Sequence, residues 1–170
     1  MPVKPRLLAP ALEVRLLDGS TWRLSDARPR TFVMIVVYRG LHCPICKTYL
    51  GGLEGKLPEF SKRGVDVIAI STDSRERAER AKTEWGLNNL RLGCELSIAS
   101  VREWDLFISR AIREGEPPEF SEPGLFLIKP DGTLFYHSRN SAPWGRPPFD
   151  QMLRAIDTAT ERKMPARGEA

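Results

Sequence analysis

Two of the three cysteines in this 170-residue chain stand three positions apart, in Tyr38-Arg39-Gly40-Leu41-His42-Cys43-Pro44-Ile45-Cys46. A C-x-x-C spacing at a helix start puts Cys46 almost one turn beyond Cys43, close enough to attack a sulfur bonded to it. At such a start, unpaired backbone N–H groups and the helix dipole stabilise an anion. A thiol there falls from ~8.5 into the range ~3.5–7.5. Pro44 suits the first helical position, where its missing N–H costs nothing. Arg39 and His42 are placed to add positive charge. The chemistry expected is redox exchange at sulfur, with Cys43 the nucleophile and Cys46 the resolving thiol.

Other readings stand beside this one. The pair also reads as two core thiols, or as half of a zinc site. A zinc site needs two further ligands, and Cys94, His42 and His137 are the only soft candidates, without a second paired spacing. No metal or other cofactor is therefore expected. Cys94, in Leu92-Gly93-Cys94-Glu95, reads as a structural thiol, with a distant resolving role as the alternative. Tyr38 and Trp144 are candidates for lining the site or for packing beside it. Gly51, Gly52 and Gly55 do not form a phosphate loop, because no Gly-Lys-Ser/Thr follows.

The elements that must position the pair are legible around it. Thr31–Tyr38 is apolar throughout and rich in β-branched residues, as a strand covered on both faces should be. Residues 44–63 show Ile45, Tyr49, Leu53, Leu57 and Phe60 at helical spacing. Pro58 should kink that helix or start a new turn, and Gly64 should cap its end. Val65–Ile70 is a second buried strand, completing a βαβ unit. Asp73, with Glu76 three residues on, predicts a capping box. That helix turns Ala78, Ala81 and Trp85 inward and ends at Gly86.

Residues 97–108 predict a short helix, and the charged, Pro-containing stretch 109–123 predicts a loop. Leu125–Ile128 and Thr133–Tyr136 flank Pro130-Asp131-Gly132, the strongest hairpin signal present. Asp18-Gly19 marks an earlier hairpin. Phe149, Met152, Leu153 and Ile156 define a last helix over about 148–161. The expected organisation is an irregular arm over 1–10, one domain over 11–161 and a frayed tail over 162–170.

Composition narrows the function classes. Hydrophobic residues make up 41% and charged residues 28%, which suits a globular domain rather than a disordered chain. The net charge of +4 is mild and interleaved, as in Arg75, Glu76, Arg77, Glu79 and Arg80. A nucleic-acid surface would cluster unopposed Lys and Arg, so no nucleic-acid partner is expected. The apolar run Leu7-Leu8-Ala9 breaks at Pro10, which does not suit a signal peptide. No window of ~18 apolar residues exists, so no membrane span is expected. The default location is the cytoplasm, with reduced cysteines at rest.

The segments around Cys43, together with Val65–Ser74 and Pro123–Gly132, resemble the peroxiredoxin-like alkyl hydroperoxide reductase / thiol-specific antioxidant family of the thioredoxin-fold superfamily. The resemblance runs over roughly 11–160. It implies an α/β thioredoxin-like fold, a central mixed β-sheet flanked by helices, with an N-terminal β-hairpin extension. It also implies that Cys43 matches the peroxidatic cysteine. Two positions depart from the family pattern. Gly40 stands where the family has a Thr, and Pro123 where it has an Arg just before the Gly-Leu-Phe strand.

A C-x-x-C with a proline at the start of the late strand is instead similar to thioredoxin, and that implies a cis Glu122–Pro123 bond packed against the dithiol. The site expected is thus Cys43 and Cys46, with Tyr38, Arg39, Gly40, His42, Pro44 and Pro123 shaping the pocket or tuning the thiolate. Peroxide or disulfide is the implied substrate, and an external thiol or dithiol of thioredoxin or glutathione type the implied reductant. A redox-sensing or metal-binding adaptor and a homodimer stay open.

Overall fold

The computed structural model describes residues 2–170; Met1, the first residue of the expected arm, lies outside the described residues. The all-apolar run forms β3 (Phe32–Val37), and all six of its residues are buried. Side chains alternate across a strand, so Met34 and Val36 enter one core layer while Val33, Ile35 and Val37 enter the other. Such a strand is stable only in the middle of a covered sheet. It pairs in parallel with β4 (Val65–Ile70), from Phe32↔Val65 to Val37↔Ile70. On its other side it pairs antiparallel with β8 (Gly124–Ile128), with Val37 opposite Gly124.

The remaining strands extend this centre. The seven-stranded order is β2-β1-β5-β4-β3-β8-β9. Here β1 (Glu13–Leu16) and β2 (Thr21–Arg23) form the N-terminal hairpin. β5 (Leu92–Cys94) joins it to β4, and β9 (Leu134–Arg139) closes the other edge. One core layer holds α1 (Pro44–Lys62) and α4 (Phe149–Glu161) against the sheet. The opposite layer gathers Val101, Trp104 and Leu106 around α3 (Ile98–Glu103), while α2 (Arg75–Glu84) buries Ala78 and Ala81. The expected thioredoxin-like arrangement, a mixed sheet between helices with a hairpin extension, is present. No helix among the described residues is long and apolar enough to cross a membrane.

Several local expectations need correction. α1 buries Cys46, Leu50, Leu53 and Phe60, whereas Ile45 is 40% exposed. The inward stripe is phased on Cys46, which counts as a small apolar residue in a helix face. Pro58 sits inside α1 without ending it. The cap of α2 is Ser74, whose hydroxyl accepts from the Arg77 N–H at 3.3 Å; Asp73 is buried and has another task.

The 97–108 helix ends at Glu103, and 109–123 is not a plain loop. It holds a second small sheet of β6 (Ile108–Arg110) and β7 (Glu119–Ser121). Charge hid this hairpin: Arg110 and Glu119 pair across it at 3.7 Å. Beyond α4 the tail forms no helix or strand, and Ala166 is buried there, its carbonyl accepting from Arg6 Nε at 2.9 Å.

Candidate active site

The parallel β3–β4 pair ends at Val37 and Ile70, and the chain then turns into α1. That turn needs a backbone without a side chain. Gly40 has φ +135°, and a Cβ there would stand 2.7 Å from Oδ1 of Asp73. The Asp73 carboxylate fills the space and fixes the turn. Its Oδ2 accepts from the Leu41 N–H at 2.8 Å, and its Oδ1 from Arg77 Nε at 3.1 Å. The Gly40 carbonyl then accepts from the Cys43 N–H at 3.1 Å.

Cys43 is the N-cap of α1, with Pro44 at the first helical position. Its sulfur takes the role a Ser or Asp oxygen has at other helix starts. The Cys46 N–H donates to Cys43 Sγ at 3.2 Å. Sharing of the Cys46 thiol proton acts first, then that backbone N–H, then Arg39; together they outweigh burial and lower the Cys43 thiol to about 6. The same proximity works the other way on Cys46. Burial first, then the neighbouring Cys43, pushes the Cys46 thiol far up. The pair is therefore split into one acidic thiol and one held protonated. Both are free thiols, and Cys43 is only 1% exposed.

Arg39 is held by a buried partner. Its Nε lies 3.0 Å from Oε2 of Glu122, and its guanidinium lies 4.9 Å over the Phe120 ring. Ser109 donates to Oε1 of Glu122 at 2.5 Å, so β6 and β7 brace the ion pair. His42 packs edge-on against Phe120, with ring centroids 4.6 Å apart. Burial, and then Arg39, lower its pKa, so its imidazole is neutral near pH 7 and adds shape rather than charge. Tyr38 is fully buried in the same core layer as both cysteines, its ring against Trp85.

The Glu122–Pro123 bond is trans, since the described chain has no cis peptide bond. This overturns the cis bond expected from the thioredoxin-like pattern. A trans bond is the ordinary state of X–Pro, and here Glu122 is fixed on both sides: its N–H donates to the Phe107 carbonyl at 2.8 Å and its carboxylate meets Arg39. Pro123 still borders the end of β3, because β8 begins opposite Val37.

Three residues near the dithiol are not expected there from the sequence, where Asp73 reads as a helix cap. Glu122 and Asp73 carry buried carboxylates, and Arg146 reaches Cys46 from the loop before α4, with Nη1 3.4 Å from Sγ. Cys94 lies in β5, two strands from β3, and its thiol donates to the Arg15 carbonyl at 3.4 Å. Burial raises that thiol. Among the described residues no group of three His, Cys, Asp or Glu side chains could hold a metal ion.

A sheet of this topology with an acidified cysteine capping the helix after its central strand defines the thioredoxin-like class of thiol proteins. The chain belongs to the AhpC/TSA family, whose family model matches residues 6–137. It is 28% identical to a 1-Cys peroxiredoxin of Onchocerca volvulus over 84% of this chain and 62% of that protein. It is also 28% identical to peroxiredoxin-6 of Rattus norvegicus over 82% of this chain and 61% of that protein. The chain thus spans about three fifths of the length of these curated relatives. Among solved structures it resembles a cysteine-to-serine mutant of the peroxiredoxin 6 of Arenicola marina, with TM-score 0.79, 20% identity, and coverage of 96% of this chain and 76% of that one. Peroxidoxin BcpB of Mycobacterium tuberculosis gives TM-score 0.74 at 15% identity, covering 92% of this chain and 98% of that one.

Proposed function

We propose that this protein is a thiol peroxidase that works through the Cys43/Cys46 pair. The observation that carries the reading is a thiol lowered to about 6 yet only 1% exposed. Such a sulfur is ionised at neutral pH, which is the form that attacks a hydroperoxide. The thiolate attacks the terminal oxygen of the peroxide. The S–O bond forms, the O–O bond breaks, and the alcohol or water leaves with a proton, which makes Cys43 a sulfenic acid.

Two of the relatives are named 1-Cys peroxiredoxins; the reading here adds Cys46 as the resolving thiol. Cys46 is one helical turn away, and its own N–H already touches the Cys43 sulfur. Condensation forms the S–S bond and releases water. An external dithiol of thioredoxin type, or two thiols of glutathione type, then reduces the disulfide. The reducing cytoplasm is the proposed setting.

A disulfide-reductase reading draws on Gly40, which offers no hydroxyl beside the thiolate, and on the exposed Ile45 between the two cysteines. Side-by-side turnover of hydrogen peroxide and of a model disulfide, with thioredoxin or glutathione as donor, separates the two. Peroxide turnover that vanishes in Cys43→Ser is the expected result. Disulfide turnover without peroxide turnover overturns the peroxidase reading.

A further inference from the structure

Dithiol chemistry asks Cys46 to be a nucleophile in one half-cycle and a leaving group in the other. Both roles need a stabilised thiolate, and complete burial works against one. One cation is aimed at this sulfur. Arg146 Nη1 stands 3.4 Å from Cys46 Sγ, although the two residues are 100 positions apart. The guanidinium is clamped: its Nε donates to the Pro143 carbonyl at 2.9 Å, and its plane lies 4.4 Å over the Tyr49 ring. The Tyr49 hydroxyl secures the next residue by donating to the Pro147 carbonyl at 2.6 Å. Nη2 of Arg146 is buried without a hydrogen-bond partner, and among the described residues no carboxylate pairs with this arginine. No carboxylate therefore competes for its charge, which faces the sulfur, the Tyr49 ring and the Pro143 carbonyl.

We propose that Arg146 is the positioning residue that activates Cys46, stabilising its thiolate both when it attacks Cys43 and when it is expelled. The inference rests on the dithiol reading and deepens it. The timing follows from the charges. In the resting protein the Cys43 thiolate opposes ionisation of Cys46. Once Cys43 is a sulfenic acid that opposing charge is gone, and Arg146 is the charge nearest Cys46. Cys46 then attacks Cys43 Sγ. The S–S bond forms and the S–O bond breaks, with Cys46 oxidised and the Cys43 sulfur reduced. The Cys46 proton leaves with the hydroxyl as water.

On the return, a thiolate of the external dithiol attacks Cys43 Sγ, and the S–S electron pair moves onto Cys46 facing Arg146. The donor's second thiol then displaces Cys43 and closes the donor's own disulfide. The donor's one remaining proton passes to Cys46, and Cys43 is regenerated as its thiolate. The guanidinium stays charged throughout, so it is an electrostatic partner and not an acid.

The test uses the full chain in two measurements. Ultraviolet thiolate absorbance of a Cys43→Ser, Cys94→Ser background follows the Cys46 titration alone. The Cys43–Cys46 disulfide, made with oxidised dithiothreitol rather than peroxide, is then cleaved by reduced dithiothreitol. Arg146→Ala and Arg146→Gln should raise the Cys46 titration by about one pH unit or more and slow cleavage at neutral pH roughly tenfold. Arg146→Lys should recover most of both effects, and Cys43 alkylation should stay within about twofold in all three. Unchanged titration and cleavage in the Ala and Gln variants overturn the proposal, as does a Lys variant that behaves like Gln. Because neither measurement uses peroxide, a protein inert to peroxide sinks the peroxidase reading without touching this one.

Discussion

Gly40 and Asp73 exclude each other's side chains: a Cβ on residue 40 would stand 2.7 Å from the Asp73 carboxylate, whose other oxygen accepts the Leu41 N–H at 2.8 Å. The loop that carries Cys43 thus rests on a buried carboxylate from the β4–α2 connection.

Gly40→Thr, which restores the residue found there in the resembling family, should therefore damage this protein. A side chain at φ +135° costs about 1–3 kcal/mol in backbone strain, before Asp73 is displaced. A lower denaturation midpoint and a less acidic Cys43 are expected together. A Gly40→Thr protein that gains peroxide turnover at unchanged stability would show that this packing does not govern the site.

The two cysteines should separate cleanly. Cys43→Ser should abolish turnover. Cys46→Ser should keep the first step and accumulate a Cys43 sulfenic acid, detected by mass after trapping with a cyclic diketone. Full multiple turnover in Cys46→Ser would make the protein a single-cysteine enzyme.

Alkylation of Cys43 by a small reagent should rise with pH and level off above about 6. The same ionisation links to stability. Its folded-state pKa is below the unfolded thiol's ~8.5, so the stabilisation is fully present above ~8.5 and is lost as pH falls through about 6. Stability of the reduced protein should increase between those limits, and the slope should shrink in Cys43→Ser. Chemical denaturation at several pH values reads this directly.

Arg39 and Glu122 should have opposite signatures. Arg39→Ala should raise the Cys43 titration, because Arg39 lowers it. Glu122→Gln should destabilise the fold by about 3 kcal/mol, since it leaves a largely buried guanidinium without its counter-charge. It should not raise the Cys43 titration. A Glu122→Gln variant with a less acidic Cys43 would mean that the carboxylate matters for placing Arg39 more than for neutralising it.

The centre of the candidate site was legible because its determinants are local. Cys43, Pro44 and Cys46 fall on a strand–helix junction that an all-apolar run and a helical period announce within thirty residues. Arg39 and Gly40 lie in the same stretch. Arg146, Glu122 and Asp73 were not legible as site residues, because their meaning comes from partners 100, 83 and 32 positions away. Asp73 even mimicked a helix cap, since a carboxylate one residue before a serine fits the same pattern. The β6–β7 hairpin lacks an alternating apolar pattern in the sequence: it pairs Ile108 with Ser121, Ser109 with Phe120 and Arg110 with Glu119. The trans Glu122–Pro123 bond shows the limit of carrying a motif between relatives: the proline is in place, but the neighbouring carboxylate answers to Arg39.

The spread of ionisation among the three thiols has a practical corollary for labelling. Near pH 7 only Cys43 is substantially anionic, while Cys46 and Cys94 are both buried and pushed up. An unmodified chain therefore offers a single address for a compact electrophile, with no need to delete the other cysteines. Because the anionic sulfur is almost fully covered, reagent bulk becomes a second filter: a haloacetamide should tag the protein once, and a fluorophore maleimide should react far more slowly.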